Sequence, residues 1–176
     1  MPTLQQLNEY REMCRVTAIY PEELAVPYLV LGLCSESVEL IDSAHNSSEA
    51  GEMEQIKELG DCQWYVCRLA EHYGFDFALM ANSTQPADDA VDLVRIPGLL
   101  ANYAKKQIRD GSKWTGEERE EARQKIRELL VKFVSCSRTY ARDHLSTDYA
   151  NILQANYNKL MSRKNRGVLT GSGDNR

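Results

Sequence analysis

The sequence predicts an all-α fold, and three observations support this prediction. Apolar residues recur at helical spacing along most of the chain, and no segment has the alternating pattern of a β-strand. Only 5 prolines and 10 glycines interrupt the 176 residues. With 43% hydrophobic and 27% charged residues, the composition is that of an ordinary globular domain. We therefore expect a helical bundle.

The first half of the chain is predicted to contain three long helices and a short one. Thr17-Ala-Ile-Tyr-Pro21 ends the first, Asn46-Ser-Ser48 separates the second from the third, and Gly74 stops the third. The apolar positions between these signals set the boundaries of the helices at about 4–17, 26–44, 52–73 and 75–82.

The second half is predicted to contain three more helices. The first covers about 90–109 and stops at Gly111. Thr115 and Glu118 have the spacing of a capping box, which opens a long helix to about residue 144. Ser146 or Thr147 is expected to cap the last helix, which reaches about residue 164.

We divide the chain into a single domain over 1–164 and a basic, glycine-rich tail over 165–176. Within the domain, the half over 1–82 contains two pairs of acidic residues inside helices and is expected to bind metal, and 83–164 is expected to be a degenerate second half. Ile56-Lys-Glu-Leu59 has a counterpart 70 residues later in Ile126-Arg-Glu-Leu129. Either two amphipathic helices resemble each other by chance or a helical hairpin was duplicated. In a duplication Asp61 is matched by Val131, so the second copy has lost part of the motif.

Charge and cysteine content exclude several classes of function. The chain has 21 Lys+Arg against 26 Asp+Glu, a net charge of −5, which argues against a nucleic-acid binder. Five scattered cysteines without a CxxC pair indicate reduced thiols rather than a disulfide framework or zinc site. We expect no signal peptide and no membrane span, and a location in the cytoplasm, which is the host cytoplasm if a phage encodes the protein.

Two pairs of acidic residues stand out: Glu36 with Glu39, and Glu58 with Asp61. Spacing of three places each pair on one helix face. Both pairs lie inside apolar helices rather than in a solvated first turn. Four converging carboxylates repel one another, so they stay protonated or bind hard divalent cations, Mg²⁺ first and Mn²⁺ second. The alternative is a rim of surface acids without a metal.

These acids and the sequence around them resemble the MazG-like, all-α nucleoside triphosphate pyrophosphohydrolases. Glu36-x-x-Glu39 followed by Glu58-x-x-Asp61 is similar to the family's ExxE…ExxD signature, and 57–65 (KELGDCQWY) is similar to its KELGDxxWY. The segments 158–163 (NKLMSR) and 171–176 (GSGDNR) also resemble the C-terminal sequences of the family. The family more often has Gly where Ser35 and Ser37 flank the first acid. The dimeric dUTPases, which are related, fuse two such hairpins in one chain.

The resemblance implies hydrolysis of a nucleoside triphosphate to the monophosphate and pyrophosphate. Glu36, Glu39, Glu58 and Asp61 would hold two or three Mg²⁺ or Mn²⁺ ions, and Glu39 or Glu58 would act as general base. The preferred substrate is dGTP or GTP, in the control of a phage nucleotide pool. The alternatives are dUTP, dCTP or a broad housecleaning specificity. The family implies a homo-oligomer, either a dimer or a tetramer.

Several residues are candidates for binding the substrate, each with a simpler explanation. Three basic residues near the C-terminus would offset the negative charge of the triphosphate: Lys159, Arg163 and Arg166. The simpler explanation is that their positive charges stabilise the dipole of the last helix. Trp64 or Tyr65 would stack on the base, or they belong to the core. Asn46 would reach a base edge, or it ends a helix.

Two other classes of protein were compared with the enzyme. A helical interaction module would carry the same acids on its surface and would show no metal-dependent change in stability. A di-iron carboxylate bundle needs ExxH pairs, and none of the three histidines lies three residues after a glutamate.

Overall fold

The computed structural model describes residues 1–45, 48–83 and 90–171, and within these residues the protein is all-α, without a β-strand. This confirms the predicted fold class. A short 3₁₀ turn over Glu22–Leu24 leads into the second of the helices, whose bounds are as follows: α1 Leu4–Val16, α2 Ala25–Ser43, α3 Glu49–His72, α4 Phe77–Ala81, α5 Asp92–Asp110, α6 Gly116–His144 and α7 Tyr149–Asn165.

Most helix ends lie where the turn and capping residues predict them. The capping box of α6 is confirmed, because Thr115 Oγ1 accepts from the Glu118 amide at 3.2 Å and Glu118 Oε2 accepts from the Thr115 amide at 2.7 Å. The predicted cap of α7 is wrong: it is Asp148, whose side chain accepts from the Asn151 amide at 2.8 Å. The chain turns at Ser146, which has a φ of 45°, so the helix begins later than predicted.

Four long helices form a closed ring around the core. α2 packs along α3, α3 contacts α6, α6 packs along α5, and α5 returns to α2. α1, α4 and α7 pack on the outside of this ring, against α3 and α6. The two hairpins, α2–α3 and α5–α6, follow each other in the chain as the duplication hypothesis requires, and the duplication itself stays a prediction.

A buried polar network crosses the apolar core and joins three helices. Fully buried Gln63 of α3 donates through Nε2 to Ser137 Oγ of α6 at 2.9 Å. Its carbonyl oxygen accepts from the Tyr149 hydroxyl of α7 at 2.6 Å. Both the nitrogen and the oxygen of the Gln63 amide therefore have a hydrogen-bond partner. The network fixes the register of α3, α6 and α7 without leaving either atom unpaired.

The segment Glu22–Ser43 is long and apolar enough to cross a membrane by length and composition, and it is the one such helix among the described residues. In the structure, however, α2 buries Leu29, Leu33 and Leu40 completely in the core. Its opposite face leaves Leu31 at 69% and Val38 at 49% exposure. Core packing accounts for the apolar residues on one face only, and those on the other face are exposed to solvent.

Candidate functional site

Three carboxyl groups meet where α2 crosses α3. One side-chain oxygen from each of Glu36, Glu58 and Asp61 lies within 4.8 Å of the other two. Glu58 and Asp61 are neighbours on one face of α3 because they are three residues apart, and α2 brings Glu36 opposite them. The side chain of Glu58 is buried, with the residue only 8% exposed. Three of the four acids singled out from the sequence therefore form one cluster.

Glu39, the fourth acid, is exposed and lies outside this cluster. A step of three residues moves a side chain about 4.5 Å along a helix and about 60° around it. That step takes Glu39 from the crossing point of the helices towards solvent. Its charge nevertheless contributes to raising the pKa of Glu36, after burial and the charge of Asp61. Glu39 thus neighbours the cluster without belonging to it.

The cluster has too many negative charges for its degree of burial. Burial raises the pKa of Glu36 to about 7, and the neighbouring charge of Asp61 adds to the effect. Burial raises the pKa of Glu58 to about 9, with further contributions from its hydrogen bond to Glu36 and from the charge of Asp61. A hydrogen bond between two carboxyl groups needs a proton, and Glu58 holds it because its pKa is higher. A cation bound among these oxygens would release that proton.

Helix α7 supplies the remaining polar contacts of the cluster. Lys159 forms an ion pair with Asp61 Oδ2, and Asn156 donates through Nδ2 to Asp61 Oδ1 at 2.7 Å. The Tyr10 hydroxyl of α1 donates to Asn156 Oδ1 at 2.9 Å. Asp61 is therefore oriented by an amide that is itself held by a buried tyrosine. The amide and the lysine both come from a helix nearly one hundred residues further along the chain.

A glycine allows α7 to come this close. A Cβ atom at Gly60 would lie 2.9 Å from the Cβ of Asn156, which is closer than two carbon atoms normally approach. At the crossing of α2 and α3, Gly32 has a similar role, because a methyl group there would overlap the ring of Tyr65. Ser37, beside Glu36, is fully buried and donates to the Leu33 carbonyl at 2.7 Å. Ser37 therefore fits between the helices, whereas Ser35 is exposed.

A small cleft of about 120 Å³ opens from the cluster. Glu36 and Asp61 form its acidic end. The rings of Trp64 and Tyr65, with centroids 5.0 Å apart, form an aromatic wall that Tyr28 extends. The cleft is smaller than a whole nucleotide, so it can enclose only part of one.

The residues predicted to bind a substrate lie at different distances from this cleft. Trp64, Tyr65 and Arg163 line it, and Arg163 is only 5% exposed. Lys159 is at the edge of the cluster, paired with Asp61. Arg166 is exposed and does not line the cleft. Asn46 lies outside the described residues.

The segment after α7 turns back towards the cleft. Gly167 has a φ of 71°, and the Val168 amide donates to the Arg163 carbonyl at 3.0 Å, which closes the helix end and reverses the chain. Leu169 then lines the cleft. The sequence predicts that glycines allow this reversal, whereas residues 172–176 of the tail lie outside the described residues.

Sequence reasoning missed Tyr28, Asn156 and Leu169. Tyr28 and Leu169 are apolar residues whose position in the cleft depends on how α2 and the C-terminal segment pack. Nothing local indicates that Asn156 contacts Asp61, because a contact over 95 positions depends on the packing of α7 on α3.

The donor set of the cluster fits a hard divalent cation. All three groups offer carboxylate oxygens, the ligands that Mg²⁺ and Mn²⁺ prefer, and no sulfur or imidazole nitrogen belongs to the group. Lys159 pairs with Asp61 in a cluster of three carboxyl groups. Burial is the main cause of the raised pKa of Glu36 and of Glu58, and further positive charge would relieve the repulsion that adds to it.

Fold and site together define an all-α protein with a carboxylate cluster between two antiparallel helices. Comparison with known proteins then shows its family: the chain belongs to the family of the Gene 37 protein of Mycobacterium phage L5. The two are 35% identical over 85 residues, which is 48% of this chain and 70% of the phage protein. The name of that relative describes no activity. No family model matches the sequence, and no solved structure matches it.

Proposed function

We propose that the protein is a divalent-metal-dependent nucleoside triphosphate pyrophosphohydrolase of the MazG-like type, which converts a (d)NTP and water to a (d)NMP and pyrophosphate. One observation carries the proposal: three carboxyl groups of α2 and α3 converge, two of them, Glu36 and Asp61, line a cleft with the buried Arg163 of α7, and Asp61 pairs with Lys159 of the same helix. Phosphoryl chemistry requires acidic side chains that bind metal ions and positively charged side chains that bind the phosphate oxygens.

Glu36, Glu58 and Asp61 would hold the ions, Mg²⁺ or Mn²⁺, which supply charge neutralisation of the phosphates and a hydroxide near neutral pH. Asn156 keeps Asp61 in one orientation, and Tyr10 keeps Asn156 in place. Lys159 would exchange its bond to Asp61 for a phosphate oxygen once Asp61 binds a cation. Arg163 lies further along the cleft, where it would bind the departing pyrophosphate.

Two residues are candidates for the general base. Glu58 lies inside the cluster, whereas Glu39 is exposed beside it and is free to accept a proton from water. Substitution of a metal ligand and substitution of a general base have different effects. Loss of a ligand weakens metal binding and turnover together, while loss of a base that is not a ligand lowers turnover and leaves metal binding intact.

The proposed substrate is dGTP or GTP. The aromatic wall of Trp64, Tyr65 and Tyr28 supports stacking of a base, which contributes about 1–3 kcal/mol whatever the base. The preference for guanine comes from the resemblance and a phage setting alone. dUTP, dCTP and a broad specificity are the alternatives that the assay ranks.

Assembly into a dimer or tetramer is part of the proposal, as is the origin of α5 and α6 in a degenerate second repeat. The exposed apolar face of α2 supports self-association. It includes Leu31 at 69% and Val38 at 49% exposure, and Leu24 in the turn before the helix is 52% exposed. The same face is the observation that favours the second candidate function, a helical interaction module without catalysis.

The test is an incubation of the protein with each nucleoside triphosphate and Mg²⁺ or Mn²⁺, followed by chromatographic separation of the products. We expect monophosphate plus pyrophosphate. Glu58→Gln should lower the rate by at least about 100-fold, and Glu121→Gln, the same change at an exposed acid of α6, should leave the rate unchanged. Glu39→Gln, assayed for turnover and for metal binding, decides whether Glu39 is the base. Absence of turnover with every nucleotide would leave the interaction module as the better function.

A further inference from the structure

A second cavity, of about 450 Å³, lies at the C-terminal end of α3, where the end of α5 and the first turns of α6 meet it. None of its lining residues lines the acidic cleft. Tyr73, on its wall, is twelve residues after Asp61, which corresponds to about 18 Å along the axis of α3. The cavity is therefore a separate site, and its volume is in the range of small-molecule pockets, roughly 300–1,000 Å³.

The walls of this cavity are aromatic and apolar. Trp114 lies in the loop between α5 and α6, and both it and Tyr73 are partly buried. Ile126, which is 3% exposed, adds an aliphatic side chain to the wall. The Tyr73 hydroxyl donates to Gln107 Oε1 at 2.9 Å. This bond fixes the Gln107 amide so that its NH₂ group remains a donor. A flat aromatic ring packs well on such walls, and a donor at the edge orients it.

Two arginines line the cavity. Arg123 is held by three contacts: Nε donates to the Tyr73 carbonyl at 2.9 Å, a terminal nitrogen pairs with Glu120 at 3.2 Å, and the guanidinium lies 4.7 Å from the centre of the Phe75 ring. Arg119 is exposed, and among the described residues its bond is a weak one to the Gly111 carbonyl at 3.4 Å, without an acidic partner. Arg119 therefore has a guanidinium available for a ligand, and guanidinium groups bind phosphate and carboxylate in two-pronged geometry.

We propose that this cavity binds a small planar aromatic anion of mononucleotide size, with its ring against Trp114 and Tyr73 and its anionic group on Arg119. The site is independent of the acidic cleft. Carboxylates line the cleft and need cations before a phosphate can approach, whereas this cavity presents arginines and needs no metal. The inference does not depend on the proposed hydrolase activity.

The test follows the two indole N–H signals of the protein by NMR during titration with AMP, GMP, CMP and UMP, all in EDTA. The chain has two tryptophans, and Trp114→Phe assigns their signals. We expect at least one monophosphate to shift the Trp114 signal saturably, with a Kd below about 1 mM. The matching nucleoside and inorganic phosphate, each with half of the ligand chemistry, should bind at least about tenfold more weakly.

Arg119→Ala should weaken that binding at least about tenfold, because it removes a charge-assisted hydrogen bond. Arg127→Ala is the matched control, since Arg127 is exposed on the same helix and does not line the cavity. Three outcomes would overturn the proposal: no saturable shift of Trp114 with any monophosphate, a shift of Trp64 instead, which would place the ligand in the acidic cleft, or equal affinity in Arg119→Ala and the unaltered protein. EDTA and monophosphates prevent turnover, so a failure of the hydrolase assay leaves this result unaffected.

Discussion

Glu58 combines two properties that rarely occur together in a folded protein. Its carboxyl group is buried, and its two neighbours in the cluster, Glu36 and Asp61, are also acids. Removing a carboxylate from water favours the neutral form, and so does a negative charge nearby. In the absence of a cation these residues oppose folding once they ionise. A cluster that costs stability in this way is typical of functional sites.

At the residue scale we predict that the metal-free protein loses stability as the pH rises. The folded protein holds protons on Glu36 up to a pKa of about 7 and on Glu58 up to a pKa of about 9, whereas an unfolded glutamate loses its proton at about 4.3. Unfolding therefore releases protons between these values, so the free energy of unfolding decreases as the pH rises through this window. Denaturant unfolding in EDTA at pH 6, 7.5 and 9 measures the effect.

Glu58→Gln should reduce this decrease, since glutamine keeps the shape of the side chain and cannot ionise. Glu121→Gln, at an exposed position on α6, should leave the slope as it is. An equally steep decrease in Glu58→Gln would mean that the burial of Glu58 is not what makes the cluster costly.

At the element scale, helix boundaries could be predicted largely from the sequence, because caps and stops are local. The capping box of α6 depends on residues three positions apart, and α3 ends one residue before the C-cap Tyr73 that precedes Gly74. The start of α7 was misplaced because Ser146, Thr147 and Asp148 are all good caps in isolation. The positive φ of Ser146 selects among them, and that angle follows from how α6 and α7 pack.

The close approach of α7 to α3 leads to a second prediction. Gly60→Ala should destabilise the protein by about 1–3 kcal/mol, because the new methyl group meets the Cβ of Asn156 at 2.9 Å and the backbone has to move. The same shift would pull Asn156 and Lys159 away from Asp61, so metal binding should weaken as well. Thermal unfolding and a metal titration measure the two effects.

Gly98→Ala is the matched control for that substitution. Gly98 is also inside a long helix, α5, but nothing lies within 4 Å of the position of its Cβ. Alanine there should stabilise the protein by about 0.5–1 kcal/mol, because it reduces the freedom of the unfolded chain. A stabilising effect at both glycines would show that α7 does not depend on the absence of a side chain at Gly60.

At the scale of the whole molecule, the site draws on distant parts of the chain. Tyr10 of α1, Asp61 of α3 and Asn156 of α7 form one hydrogen-bonded series. The acids of α2 and α3 could be found from the sequence because each pair lies within one helical turn. Glu39 has the same spacing and lies outside the cluster, since spacing defines a shared face of a helix but not which part of that face meets its neighbour.

The cluster joins α2 to α3, so a cation bound there would link two sides of the helical ring. We predict that Mg²⁺ or Mn²⁺ raises the thermal stability of the whole protein. At a concentration 100 times the Kd, binding to the folded state contributes about 2.7 kcal/mol, which for a chain of this size raises the melting temperature by roughly 5–10 °C. Differential scanning fluorimetry with and without the metal measures the shift.

Glu58→Gln should lose most of this metal-dependent shift, and Glu121→Gln should retain it. An equal shift in both variants would mean that the ions bind elsewhere on an acidic surface, and a melting temperature independent of metal would favour the interaction module over the hydrolase.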